Sequence, residues 1–239
     1  MVVEKIVSAL LVKGAIEVAE FGILNLKKVI TKDKRKGFYS VFKKDSKIII
    51  VPSSFKAKSL IYKVEGLKKE FHPNFVTGTQ HAISLMLLTQ FLSNFSLELL
   101  YREDDLHEQE RDTNNLILTG SSASNIVTDW FCSKFMGKTA SFSKNANSLW
   151  FNGKEIFDPH AGMIVFKAHP NRRGKRIILL AGVSQFGTSA AIRFFAASDL
   201  LDLLKKEKYK GSWAILVHGD VKGDALLRIH LNEQGMIRI

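Results

Sequence analysis

Two hydrophobic rhythms alternate along this chain: short unbroken runs of β-branched and aliphatic residues, and longer stretches with a helical repeat. Runs at 48–52 (Ile48, Ile49, Ile50, Val51, Pro52), 97–101, 115–119, 162–168, 176–181 and 213–218 have the length and composition of buried strands. Helical spacing holds over 77–95, where Ile83, Leu87, Leu88, Phe91, Leu92 and Phe95 form one stripe, and again over 125–136 and 188–206. Thr77 or Thr79 is placed to cap the first of these helices, and Ser124 and Thr188 the other two. The segment 140–157 predicts a hairpin turning at Asn152-Gly153, and 225–231 and 236–239 predict further strands. An exposed loop is expected over 53–74 and an acidic, polar connection over 102–114. Strands alternating with helices favour an α/β layer architecture with antiparallel strands at its C-terminal edge.

Ahead of this lies a different segment. Residues 3–30 carry Ile6, Leu10, Leu11, Ile16, Phe21, Leu24 and Val29 in a helical rhythm interrupted at Gly14 and Gly22, which predicts one long helix or two short ones. Its polar face becomes basic at Lys27 and Lys28 and continues into a basic arm ending near Lys47. The chain therefore divides into an N-terminal helix and basic linker, 1–46, and a main domain, 47–239. Three roles compete for residues 1–30: packing on the main domain, a homo-oligomer contact, or contact with a membrane surface.

Two strand-to-helix turns share one construction. The run ending at Gly120 passes into Ser121, Ser122, Ala123, Ser124 and Asn125, and the run ending at Gly182 passes through Val183, Ser184, Gln185 and Phe186 to Gly187, Thr188 and Ser189. At the carboxyl ends of parallel strands, such turns present helix N–H groups to an anion, with the hydroxyls of Ser121, Ser122, Ser124, Thr188 and Ser189 as further donors. Neither is a Walker A loop or a G-x-G-x-x-G fingerprint. The competing explanation is purely structural: glycines for tight turns, and Ser124 and Thr188 as helix caps.

Net charge sharpens the choice of ligand. The chain carries 35 Lys and Arg against 23 Asp and Glu, a formal charge of +12, which favours phosphate, whether on a nucleotide, a nucleic acid or an anionic surface. Lys34, Arg35, Lys36, Lys43 and Lys44, with Phe38, Tyr39 and Phe42 among them, offer a nucleic-acid alternative in which rings stack on bases beside phosphate contacts. The 46% hydrophobic content fits a globular core. A lone cysteine, Cys132, set among Trp130, Phe131 and Phe135, excludes an internal disulfide and predicts an inert core thiol. The N-terminal apolar run is too interrupted for a secretory signal, so a cytoplasmic setting is expected.

The order NLILTGSSASNIVTDWF, then DPHAGMIVFKAHPN, then KRIILLAGVSQFGTSAAIRFF resembles a widespread group of prokaryotic Rossmann-like domains with Gly-Gly-Pro plus Asn, Asn-Pro and Gly-x-x-x-x-Gly-Thr motifs, also found in archaeal surface-layer proteins. The resemblance covers 47–239 and implies a Rossmann-like, mostly parallel sheet flanked by helices, with antiparallel edge strands at the C-terminus and a helical extension at the N-terminus. It also implies pocket roles for Asn125, Gly182, Gly187 and Thr188. Ser121-Ser122 replace the group's Gly-Pro, Ala161 its aromatic, and His169-Pro170 its Asn-Pro.

The combined expectation is a module that binds a nucleotide-type ligand or other phosphorylated small molecule at both turns, as a sensor or regulator. Nucleic-acid binding, protein scaffolding and nucleotide hydrolysis are the alternatives. No catalytic residue is assigned: Asp129, Glu155, Asp158, His160, His169, His218, Asp220 and Asp224 show neither triad nor metal-site spacing, so no metal ligand is predicted.

Overall fold

The structure is a computed structural model that describes Phe42 and residues 47–53, 60–64, 67–71, 79–100, 105–196 and 211–239. The predicted N-terminal helix and most of the basic arm lie outside these residues.

The described chain runs β1 (Lys47–Val51), β2 (Leu60–Val64), β3 (Leu67–Phe71), α1 (Thr79–Phe91), β4 (Ser96–Leu99), α2 (Glu108–Thr113), β5 (Asn115–Thr119), α3 (Ile126–Phe135), β6 (Ala140–Phe142), β7 (Leu149–Phe151), β8 (Lys154–Ile156), β9 (Ala161–Ala168), β10 (Arg176–Gly182), α4 (Gln185–Ala196), β11 (Trp213–Lys222) and β12 (Ala225–Arg238). Seven strands form the main sheet in the order β12-β11-β9-β10-β5-β1-β4. Only β10, β5, β1 and β4 pair in parallel; β9 is antiparallel to β10, β11 to β9, and β12 to β11.

This corrects the expected Rossmann-like, mostly parallel, helix-flanked sheet. Strands predominate, and half of the main sheet's pairings are antiparallel. One reason is length: β9 and β10 are joined by residues 169–175, too short a connection for the crossover that a parallel pair requires. A second is that residues 140–156, expected as one hairpin, form the three-stranded meander β6-β7-β8. This meander helps cover a face that helices would cover in a doubly wound fold. The loop expected over 53–74 instead contains the hairpin β2–β3, and the connection 102–114 contains α2.

Side chains alternate cleanly between the two faces. Ile48, Ile50, Ile117, Ile178, Leu180, Phe166, Ile215 and Val217 pack with Leu88, Leu92, Ala191, Ile192 and Phe195 under α1 and α4. Ile49, Val51, Leu116, Leu118, Ile177, Leu179, Met163 and Val165 pack with Val127, Phe131 and Cys132 of α3 and with Leu149 and Phe151 of the meander. Each apolar side chain so buried stabilises by about 1.5–3 kcal/mol, and the buried polar residues of the central strand β5, Asn115 and Thr119, stand at its two ends, where each is hydrogen-bonded. Phe42 belongs to this core, its ring edge-on to Phe95 at 5.4 Å.

Candidate functional site

The sheet order places a topological switch point between β1 and β5. From β1 the chain proceeds outward to β4 on one side, and from β5 it proceeds towards β10 on the other. In open sheets, the crevice at the carboxyl ends of two such strands is where ligands bind. The first predicted turn, Gly120–Asn125, leaves β5 here, and Ser53 follows β1 beside it.

Asn125 forms the floor of this crevice. It is buried; its Oδ1 accepts from Val127 N and Thr128 N at 3.0 and 3.1 Å, capping α3. Its Nδ2 donates to Val51 O at 3.1 Å, Thr119 O at 3.1 Å and Pro52 O at 3.4 Å, tying together the ends of β1 and β5. With every valence engaged, Asn125 holds the turn and has no group left to read a ligand. It, not Ser124, is the cap of α3.

Beside it is a cluster the sequence pattern did not flag. Ser53 Oγ hydrogen-bonds His81 Nδ1 at 2.9 Å, His81 Nε2 hydrogen-bonds Thr119 Oγ1 at 3.0 Å, and Ser53 N donates to Thr119 Oγ1 at 3.3 Å. His81 enters from α1 and is 3% exposed, so this Ser–His contact is sealed beneath the surface and links β1, α1 and β5. A detectable signal was the histidine on the apolar stripe of a helix next to a strand ending in Thr. Gly120, at φ +89°, lies so close that a Cβ there would meet Ser53 Cβ at 2.3 Å.

Burial pushes the His81 imidazole down from 6.5 to about 4. The unfolded chain therefore binds a proton near pH 6.5 that the folded chain refuses until about pH 4. Stability is at its full value above that window and falls as pH drops through it, by about 1.4 kcal/mol per pH unit. Urea midpoints of the wild type and His81→Gln at pH 7.5 and 5 should converge on acidification; parallel pH profiles would refute this account.

The mouth of the crevice is the rest of the first turn. Ser121 and Ser124 are buried and hydrogen-bonded to one another at 3.3 Å, and Ser124 N donates to Ser121 O at 3.1 Å. Ser122 is half-buried and Ala123 exposed, and their N–H groups have no acceptor among the described residues.

The second turn differs. Ser184 Oγ accepts from Phe186 N at 3.1 Å and Gly187 N at 3.3 Å and donates to Pro159 O at 2.5 Å, so the leading N–H groups of α4 are already capped. Thr188 is inside the helix, its Oγ1 accepting from Gly182 N at 3.1 Å, and Ser189 is wholly buried. A Cβ on Gly182 would meet Gly187 C at 2.4 Å, so these glycines bring helix and strand together and leave no cradle for an anion. The two turns thus lie at one edge of the sheet, at the ends of adjacent strands, and the second is filled by its own backbone.

Further along this edge, register brings Asp158, His160, His218, Asp220 and His230 together. His218 Nδ1 meets Asp158 Oδ2 at 2.5 Å, and Asp158 Oδ1 accepts from His160 N at 2.8 Å. His169 is remote from them at the other end of β9, buried, with Nε2 on Arg111 O at 2.8 Å and Nδ1 accepting from Asn171 N at 3.2 Å. Asp129 and Asp224 are exposed, Glu155 accepts from Ser148 Oγ at 2.5 Å, and burial pushes the Cys132 thiol up to about 12. The basic cluster from Lys167 to Arg176 flanks the β9–β10 loop, at the amino end of the parallel strands. Lys34, Arg35, Lys36, Lys43 and Lys44 lie outside the described residues, as does any oligomer contact through 1–30.

Compared with known protein families, curated proteins and solved structures, the chain matches none. Among the described residues, no helix is long and apolar enough to cross a membrane.

Proposed function

We propose that the protein binds a nucleotide or other phosphorylated small molecule at the β1/β5 crevice, as a sensor or regulatory module of the cytoplasm. The observation that carries this reading is the first turn itself: the N–H groups of Ser122 and Ala123, which have no acceptor among the described residues, lie in the turn that leads into α3, at the switch point of the sheet. A phosphate placed there gains two charge-assisted hydrogen bonds and the positive end of the helix dipole, with Ser122 Oγ as a further donor. Gly120 and Asn125 fix the turn, and Ser121 and Ser124 brace it. Gly182, Gly187 and Thr188 have no part in it, because they are engaged with one another and with Ser184, and Ser189 has none because it is wholly buried. The charge of +12 favours an anionic ligand in general.

The test is equilibrium binding and thermal shift with nucleoside mono-, di- and triphosphates, dinucleotides and cyclic nucleotides. A true ligand at 100 times its Kd stabilises by about 2.7 kcal/mol. Ser122→Asp, which sets a carboxylate where the phosphate would lie, should abolish that shift while leaving the ligand-free melting temperature unchanged. Equal binding by Ser122→Asp, or no stabilisation by any member of the panel, would overturn the reading.

A further inference from the structure

The geometry points to a divalent transition-metal site formed by His218, Asp220 and His230, independent of the crevice at β1/β5. His218 and Asp220 are alternate residues of β11 and so face the same way. His230 of β12 is the register partner of His218 across the antiparallel ladder, which puts it on that face too. One ligand atom from each of the three lies within 4.8 Å of the others. A pattern of H-x-D on one strand and H on the next is invisible to linear spacing, because the pairing of β11 with β12 creates it.

The second observation is how His218 is held. Its Nδ1 is engaged by Asp158 Oδ2 at 2.5 Å, and Asp158 is itself fixed by the His160 N–H at 2.8 Å. Metal-bound imidazoles are characteristically oriented in this way, with one ring nitrogen donating to a carboxylate so that the other presents its lone pair to the ion. That other nitrogen, Nε2, faces Asp220 Oδ1 at 3.8 Å, and Asp220 Oδ2 faces His230 Nδ1 at 3.9 Å. These gaps are too long for hydrogen bonds. They are also only slightly wider than the roughly 3.3 Å that separates ligands of a tetrahedral ion with bonds of about 2.0–2.1 Å. Small side-chain rotations about an ion placed between the three groups would close them.

Two imidazoles and one carboxylate suit Zn²⁺, Fe²⁺ or Co²⁺ and are poorly matched to Mg²⁺ or Ca²⁺, which favour oxygen ligands. Three protein ligands leave a coordination position open. Solvent reaches it, since the side chains of His218, Asp220 and His230 are 26%, 49% and 53% exposed. Asp158 is a positioning residue that acts through His218.

The test is Zn²⁺ uptake by chelator-stripped full-length protein, measured as metal retained per chain after gel filtration and as Kd by competition with a chromophoric chelator, with Co²⁺ absorption as a report on the ligand set. One Zn²⁺ per chain is expected, undisplaced by millimolar Mg²⁺. Asp220→Asn and His230→Gln, both on exposed positions, should lose it while keeping the wild-type circular dichroism. Asp158→Asn should weaken Zn²⁺ by about 10-fold to 100-fold and shift the Co²⁺ spectrum, with folding unchanged. Absence of stoichiometric Zn²⁺ in the wild type, or equal affinity in Asp220→Asn and His230→Gln, would overturn the site.

Discussion

Replacing Gly187 by alanine should cost about 3 kcal/mol or more of folding stability, a large part of the 5–15 kcal/mol typical of a domain. The cause is backbone crowding. A Cβ on Gly187 would lie 2.2 Å from Ala161 O, and one on Gly162 would lie 2.2 Å from Gly187 O. Both neighbours are main-chain atoms of elements fixed by their own hydrogen bonds, so no rotamer change relieves the contact. Helix α4 would have to withdraw from β9 and β10, loosening Ala190, Ala191, Ile192, Phe194 and Phe195, which are all buried. The check is the urea midpoint followed by tryptophan fluorescence, with Gly153→Asn in the open Asn152-Gly153 turn as control. That control should change stability by only about 1 kcal/mol or less, since asparagine tolerates a positive φ. A Gly187→Ala variant as stable as the control would show that α4 does not press on the sheet as described.

Asn125→Ala should be comparably damaging, at about 3–5 kcal/mol. Loss of a helix N-cap alone costs about 1 kcal/mol. Here the same amide also supplies the donor for Val51 O and Thr119 O, and a buried carbonyl left without a donor adds about 1–3 kcal/mol. Asn125→Asp separates the two roles. At an ordinary cap, aspartate replaces asparagine without penalty. At Asn125 it would turn a carboxylate oxygen towards carbonyl oxygens, so the aspartate variant should be no more stable than the alanine one. A neutral Asn125→Asp would reduce this residue to a cap. Because both substitutions act on folding, neither Gly187 nor Asn125 is a position at which to test ligand binding; Ser122 is.

The central strands were legible because their apolar runs are buried on both faces, and such runs admit few other placements. Asn115–Thr119, Arg176–Gly182 and Trp213 onward needed no tertiary information beyond hydrophobic continuity. Helix α4 begins at Gln185 and not at the expected Thr188, because Ser184 Oγ accepts from the N–H groups of Phe186 and Gly187. The parallel sheet was the serious error. The apolar runs 162–168 and 176–181 leave only a short link between them, which requires an antiparallel β9–β10 pair, whereas the motif likeness implies a parallel architecture.

The candidate sites divide along the same line. The turn at Gly120–Asn125 was visible as glycine and hydroxyl residues after a buried run, a local pattern with a local physical cause. The sequence by itself determined where the buried strands are, that α3 and α4 are amphipathic or small-faced, that Cys132 lies in the core, and that the chain is strongly cationic. These properties depend on residue type and near neighbours. Tertiary structure alone decided that Ser53, His81 and Thr119 share one hydrogen-bonded cluster, that the Gly182–Gly187 turn is filled by its own backbone, and that His218, Asp220 and His230 converge. Each of these depends on strand order and register, quantities fixed by the packing of the whole sheet, which places residues far apart in the chain within hydrogen-bond or ligand distance.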